Sequence, residues 1–96
     1  MEKYIKLSFK NKEKVLNAKK CYCYYCKKEI NKDKIEWLIE KDGKETALCP
    51  ECMIDSVITD LDTPGINVDE KFLKELNEIA FGSRDKHEDD AINNRI

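Results

Sequence analysis

The chain has little of what most catalytic and membrane-embedded proteins need. It holds one histidine, one tryptophan and three glycines among 96 residues. The lone His87 lies far from any cysteine pair, in the acidic stretch Asp85-Lys86-His87-Glu88-Asp89-Asp90. No His-x-Glu accompanies a Cys-x-x-Cys, so the zinc deaminase pattern is absent. There is no glycine-rich phosphate loop and no nucleophile elbow. No stretch approaches the ~20 apolar residues of a membrane span. Met1-Glu2-Lys3-Tyr4-Ile5-Lys6 has no apolar run of the secretory kind, so a cytoplasmic location is expected, where thiols stay reduced. Aromatic residues make up 8% and charged residues 40% of the chain. The apolar supply for a core is therefore thin, and small domains of this kind usually lean on a metal, a disulfide or a partner.

What is present is cysteine in a repeated spacing. Cys23-Tyr24-Tyr25-Cys26 and Cys49-Pro50-Glu51-Cys52 are both Cys-x-x-Cys, with 22 residues between them. Two such turns supply four thiolates to a tetrahedral zinc ion. Cys23, Cys26, Cys49 and Cys52 are thus the expected ligands of one structural Zn2+. Four unrelated buried or disulfide-bonded cysteines would have to produce the identical spacings by accident. In a domain with so little core, zinc binding free energy is folding free energy, so the metal-free chain is expected to be largely unfolded. Cys21 is a fifth cysteine. It could replace Cys23 as a ligand, or remain a free thiol beside the site that lysines and the metal make redox-active.

Charge is unevenly placed. The net charge is -2, yet residues 1–34 hold 11 lysines against 4 acidic residues, and residues 35–96 hold 7 basic against 16 acidic. The whole protein is no polyanion binder by charge, although its N-terminal third has the balance for one. Tyr22, Tyr24 and Tyr25, flanked by Lys19, Lys20, Lys27 and Lys28, would suit base stacking if exposed. They would serve the core if buried.

Local patterns place the elements. Ile5, Leu7 and Phe9 alternate and predict a strand from Tyr4 ending near Ser8, followed by a short basic helix over Lys10–Ala18 with Val15, Leu16 and Phe9 facing inward. Ile35–Glu40 and Glu45–Cys49 flank Asp42-Gly43, a strong hairpin signal because glycine supplies positive φ. Ile54, Val57, Ile58 and Leu61 recur at helical spacing after Pro50, predicting a helix that ends at Asp62-Thr63-Pro64-Gly65. A second helix is expected over Glu70–Phe81, with Asp69 as N-cap and Gly82 as stop. Residues 83–96 read as a mobile charged tail on a single domain of residues 1–82.

A zinc turn, a hairpin and a helix carrying the last two ligands describe a treble clef with an added C-terminal helix, an α+β zinc-binding domain. Cys49 and Cys52 would then feel the positive end of that helix. A zinc ribbon, with a strand after the second turn, is the alternative architecture. The segment Ala47-Leu48-Cys49-Pro50-Glu51-Cys52-Met53-Ile54-Asp55-Ser56-Val57, with its upstream Cys-x-x-Cys, resembles the signature of a family of short bacterial and phage-borne zinc proteins. The resemblance covers residues 8–82 and implies the same four ligands. It implies no activity. Lys27 and Met53 stand where zinc turns usually have glycine.

Four cysteines close a zinc site, whereas catalytic zinc keeps an open position. The expected function is therefore non-enzymatic: a small zinc-stabilised module for recognition, with another protein as partner and a homodimer through the Phe72, Leu73, Leu76, Ile79 stripe as one form of it. Nucleic-acid binding through Lys10–Lys34 is the alternative, and thiol redox sensing through Cys21 the third. Asp55 and Ser56 are expected to serve the helix after Cys52, one through the dipole and the other by bonding back within it.

Overall fold

In the computed structural model, residues 2–82 are described. The proposed tail and His87 lie outside the described residues. Five short strands and three helices form the fold, in the order α1 (Glu2–Lys6), α2 (Lys12–Asn17), β1 (Cys21–Cys23), β2 (Lys28–Ile30), β3 (Glu36–Ile39), β4 (Glu45–Leu48), β5 (Val57–Thr59) and α3 (Glu70–Asn77). The strands make two antiparallel sheets, β2-β1-β5 and β3-β4.

The three-stranded sheet divides the interior. Strand β1 is its middle, pairing Cys21 with Ile30 and Thr59, and Cys23 with Lys28 and Val57. Side chains alternate across a strand, so Cys21 and Cys23 point one way and Tyr22 the other. On the cysteine side, Val15, Ala18, Ile30, Ile35, Ala47 and Val57 pack with Cys21, Cys23 and Cys49. On the tyrosine side, Tyr22, Tyr24 and Ile58 pack with Tyr4 of α1 and Leu73 and Leu76 of α3. Tyr4 meets Phe72 edge-on at 5.4 Å, and Phe81 sits within 6 Å of both Tyr24 and Tyr25.

The hairpin forms as its turn chemistry predicts. Gly43 takes φ 86°, and Asp42 accepts the Lys44 amide through its side chain. The last helix starts at its expected cap, where Asp69 accepts the Phe72 amide at 2.9 Å, and it winds on through a wider turn at Glu78–Gly82.

Two expectations fail. Residues 4–9 form no strand; Glu2–Lys6 is helical. Tyr4 and Ser8 are one turn apart and both buried, with the Ser8 hydroxyl 3.1 Å from the Tyr24 hydroxyl, while Leu7 and Phe9 are exposed. Burial at i and i+4 overrides the two-residue alternation. The basic helix α2 does form, but Leu16 is exposed with Phe9, and Val15 alone of that trio is buried.

The second failure is larger. No helix follows Cys49–Cys52. The chain turns, crosses to β1 and pairs with it as β5. Ser56-Val57-Ile58-Thr59 is rich in β-branched residues, which suit a strand better than a helix. All of them are buried, because β5 is covered on both faces, and that mimics the spacing of a helix stripe. The arrangement has the strand after the second turn that the ribbon alternative requires, and it lacks the helix that a treble clef requires.

Asn11 joins the two sheets. Its side-chain Nδ2 donates to the Val57 carbonyl at 3.0 Å, and its Oδ1 accepts the Ala47 amide at 2.9 Å. It is almost fully buried and bridges β4 to β5 where no ladder connects them. Asp62 acts similarly after β5, accepting from the Thr59 amide and hydroxyl and from Lys14. Truncating Asn11 would leave a buried donor and a buried acceptor unpaired. Asn11→Ala is expected to cost about 3 kcal/mol, read by urea unfolding of the metal-loaded protein. A change under about 0.5 kcal/mol would show that the bridge is dispensable.

Candidate metal centre

Each cysteine pair sits in a tight turn between strands. Cys23 ends β1 and Cys26 lies in the turn to β2; Cys49 follows β4 and Cys52 lies in the turn that leads on to β5. The two turns are built alike. The Lys27 amide donates to the Cys23 carbonyl at 2.8 Å, and the Met53 amide donates to the Cys49 carbonyl at 2.8 Å. Lys27 has φ 61° and Met53 φ 59°. These are the two positions where glycine is usual, and non-glycine residues adopt the left-handed conformation there at a cost of about 1 kcal/mol each. Both turns are as tight as glycine would make them.

The turns bring four sulfurs together. The Sγ atoms of Cys23, Cys26, Cys49 and Cys52 all lie within 4.8 Å of one another. Cys23 is 3.7 Å from Cys52, and Cys26 is 3.8 Å from Cys49. A tetrahedron with metal–sulfur bonds of about 2.3 Å has sulfur–sulfur edges of about 3.8 Å. The set therefore fits a metal ion of zinc's size. Cys23 and Cys49 are fully buried and Cys26 and Cys52 partly so. No disulfide forms among the five cysteines.

The bare thiols differ in how readily they ionise. Burial pushes the Cys23 thiol up to about 11, although the Ser56 hydroxyl and the Cys26 amide work against the rise. Cys26 also moves up, through burial and then through its bonding and charge interactions with the neighbouring thiols. Cys49 alone moves down: burial opposes ionisation there, but hydrogen bonds from the Cys52 and Glu51 amides outweigh it. The Glu51 amide lies 3.4 Å from the Cys49 sulfur, and the Cys26 amide 3.3 Å from Cys23. The backbone thus favours ionisation at one sulfur, and a bound dication must displace protons from its neighbours.

Ser56 is a site residue that the local sequence pattern assigned to a helix. It is buried, with Oγ 3.0 Å from Cys23 Sγ and its carbonyl accepting the Tyr24 amide at 3.1 Å. Once Cys23 is a thiolate, only the hydroxyl can donate in that pair. No short motif announces this contact, because β5 carries Ser56 across from a different turn. Asp55 has no helix to serve. Lys28, just past the first turn, meets Glu51 of the second at 2.7 Å.

Cys21 is not in the cluster. It points into the core two residues before Cys23, fully buried, with its thiol raised to about 11 by burial despite the opposing pull of Lys32. A buried, protonated thiol is inert, so neither the alternative-ligand nor the redox reading gains support. The tyrosines divide: Tyr22 and Tyr24 are buried, and Tyr25 is exposed beside Phe81. Among the described residues, no helix is long and apolar enough to cross a membrane.

Three outcomes follow for substitution and pH. Cys21→Ser keeps the full metal content by elemental analysis, whereas Cys23→Ser loses it; the reverse would make Cys21 the ligand. Ser56→Ala weakens metal affinity by about tenfold in competition with a chromophoric chelator, and an unchanged affinity would remove Ser56 from the site. Raised Cys23 and Cys26 values mean that protons compete with the metal, so affinity falls as pH falls; an affinity that is flat from about pH 8 to 6 would contradict this.

No protein-family model matches the chain, and no curated protein or solved structure does so either.

Proposed function

We propose that the protein is a small non-enzymatic module in which one structural Zn2+ fixes two turns against each other so that the surrounding surface can recognise another protein. The observation that carries this reading is the closed set of four sulfurs within 4.8 Å of one another. Four thiolates fill a tetrahedral ion's coordination sphere and leave no position for substrate or water. Soft thiolate donors in a tetrahedron suit zinc among the common metals, and the resemblance to short zinc proteins points the same way. In architectural terms the reading is a ribbon-type zinc domain with helical additions, since β5 rather than a helix follows the second turn. A reducing cytoplasmic setting suits free thiols in metal service.

The placement of charge supports a protein partner over nucleic acid. Lys10, Lys12, Lys14 and Lys28 each pair with a carboxylate from beyond residue 34: Asp42, Glu45, Asp62 and Glu51 respectively. Lys32 donates to the Leu16 and Ala18 carbonyls. Four of the eleven lysines of the basic third are thereby paired with acid, and three of its four tyrosines are inside.

The purified protein should carry close to one zinc. Removing it with a chelator should abolish the near-ultraviolet signal of Trp37, which packs against the cysteine-side core. A metal-free chain with intact tertiary structure would contradict the scaffold. Titration against labelled single- and double-stranded oligonucleotides should show no saturable binding at low salt; binding that falls steeply with added salt would favour the nucleic-acid reading instead.

A further inference from the structure

The segment that joins α1 to α2, and the outer face of α2, leave three large apolar side chains in water. Leu7 is 36%, Phe9 47% and Leu16 57% exposed. The neighbours of each explain why. Ser8 turns inward to the Tyr24 hydroxyl, so Leu7 and Phe9 on either side of it turn out. Val15 holds the inward position of α2, and a helix rotates by about 100° per residue, so Leu16 is carried round to solvent. Single exposed apolar residues are ordinary on a protein surface. These three stand together. Leu7 and Phe9 line a groove of about 410 Å³ against α2, and Leu16 lines one of about 430 Å³ between α2 and the β3-β4 turn. Lys10 and Glu13 belong to both grooves, so the two adjoin.

The rim of this surface is basic. Lys6, Lys10 and Lys14 line the first groove, Lys12 and Lys44 add to the second, and only Glu13 and Glu45 oppose them. In a chain of net charge -2 that is a local reversal of sign. Glu45 is already paired with Lys12, whereas Lys6 and Lys44 are in no ion pair among the described residues. Lys10 pairs with Asp42, but the two side chains are 48% and 43% exposed. Exposed pairs of this kind contribute little, so Lys10 can exchange Asp42 for another carboxylate.

We propose that the two grooves are the docking site for the partner protein, and that they take an acidic segment carrying one or two large apolar side chains. The apolar groups seat against Phe9 and Leu16, and the carboxylates meet Lys6, Lys10 and Lys44. The inference rests on the recognition reading above and gives the partner its chemistry. An apolar centre within a polar rim is the usual anatomy of a protein interface. A nucleic-acid strand would use the lysines but give Leu7 and Leu16 no aliphatic complement. A second copy related by a twofold axis would bring the same basic patch against itself.

The test selects random peptides displayed on phage against the zinc-loaded full chain, then titrates the enriched sequences by fluorescence anisotropy. Enriched sequences should join Asp or Glu to Leu, Phe or Trp. Phe9→Ser and Leu16→Ser should each weaken their binding about tenfold, as should Lys6→Glu combined with Lys44→Glu. Leu38→Ser, on the hairpin outside both grooves, should leave binding unchanged. All the replaced side chains are exposed, so metal content on the same samples should stay at the wild-type value. No enrichment, or enrichment of basic or uncharged peptides, would overturn the proposal. Peptides that bind regardless of Phe9→Ser and Leu16→Ser would overturn it while leaving protein recognition standing elsewhere on the surface. Self-association lost in Phe9→Ser would assign the grooves to a second copy, and displacement of the peptides by a single-stranded oligonucleotide at equal affinity would assign them to nucleic acid; either result would overturn the proposal.

Discussion

Four sulfurs held around one point are the constraint on which the rest depends. Strands of three or four residues cannot hold a sheet together alone, and none of the five strands is longer. The two turns that carry the cysteines begin in different sheets, one at the end of β1 and one at the end of β4. A metal that binds all four thiolates therefore ties the two sheets at the place where they have no ladder between them. Without a cation, the same packing holds buried thiols that resist ionisation together, as the raised Cys23 and Cys26 values express.

Around that tie, single polar side chains do what longer elements do in larger domains. Asn11 replaces a missing stretch of ladder between β4 and β5. Asp62 and Lys14 fasten the end of β5 to α2. Ser56 links the β5 entry to the Cys23 sulfur. Asn11, Asp62 and Ser56 are buried and bonded, so their loss would expose unpaired partners and not merely remove a contact. The sheet β2-β1-β5 then serves two cores at once, metal-side and helix-side, which is how so few apolar residues suffice.

The legible parts of this structure were those set by short-range chemistry. Two identical Cys-x-x-Cys spacings located the cluster, Asp42-Gly43 located the hairpin, and Asp69 located the start of α3. The parts that could not be read locally are those decided across the fold. Val57 and Ile58 have the spacing of a helix stripe, yet β1 offers them a strand partner and the two side-chain clusters cover both faces. Ile5, Leu7 and Phe9 alternate like a strand, yet Tyr4 and Ser8 find Tyr24 only if the backbone is helical. Asn11 and Ser56 carry no motif, because each acts on a residue more than 30 positions away. Lys27 and Met53 occupy glycine positions in the turns and still adopt the left-handed conformation, so the ligand geometry overrides the residue's own preference.

The central claim is that one ion is bound by Cys23, Cys26, Cys49 and Cys52 and by nothing else. X-ray absorption at the metal edge of the purified protein tests it most directly. The account predicts a zinc edge with a single shell of four sulfurs at about 2.3 Å. A shell containing nitrogen or oxygen, fewer than four sulfurs, or an iron edge in place of zinc would contradict it.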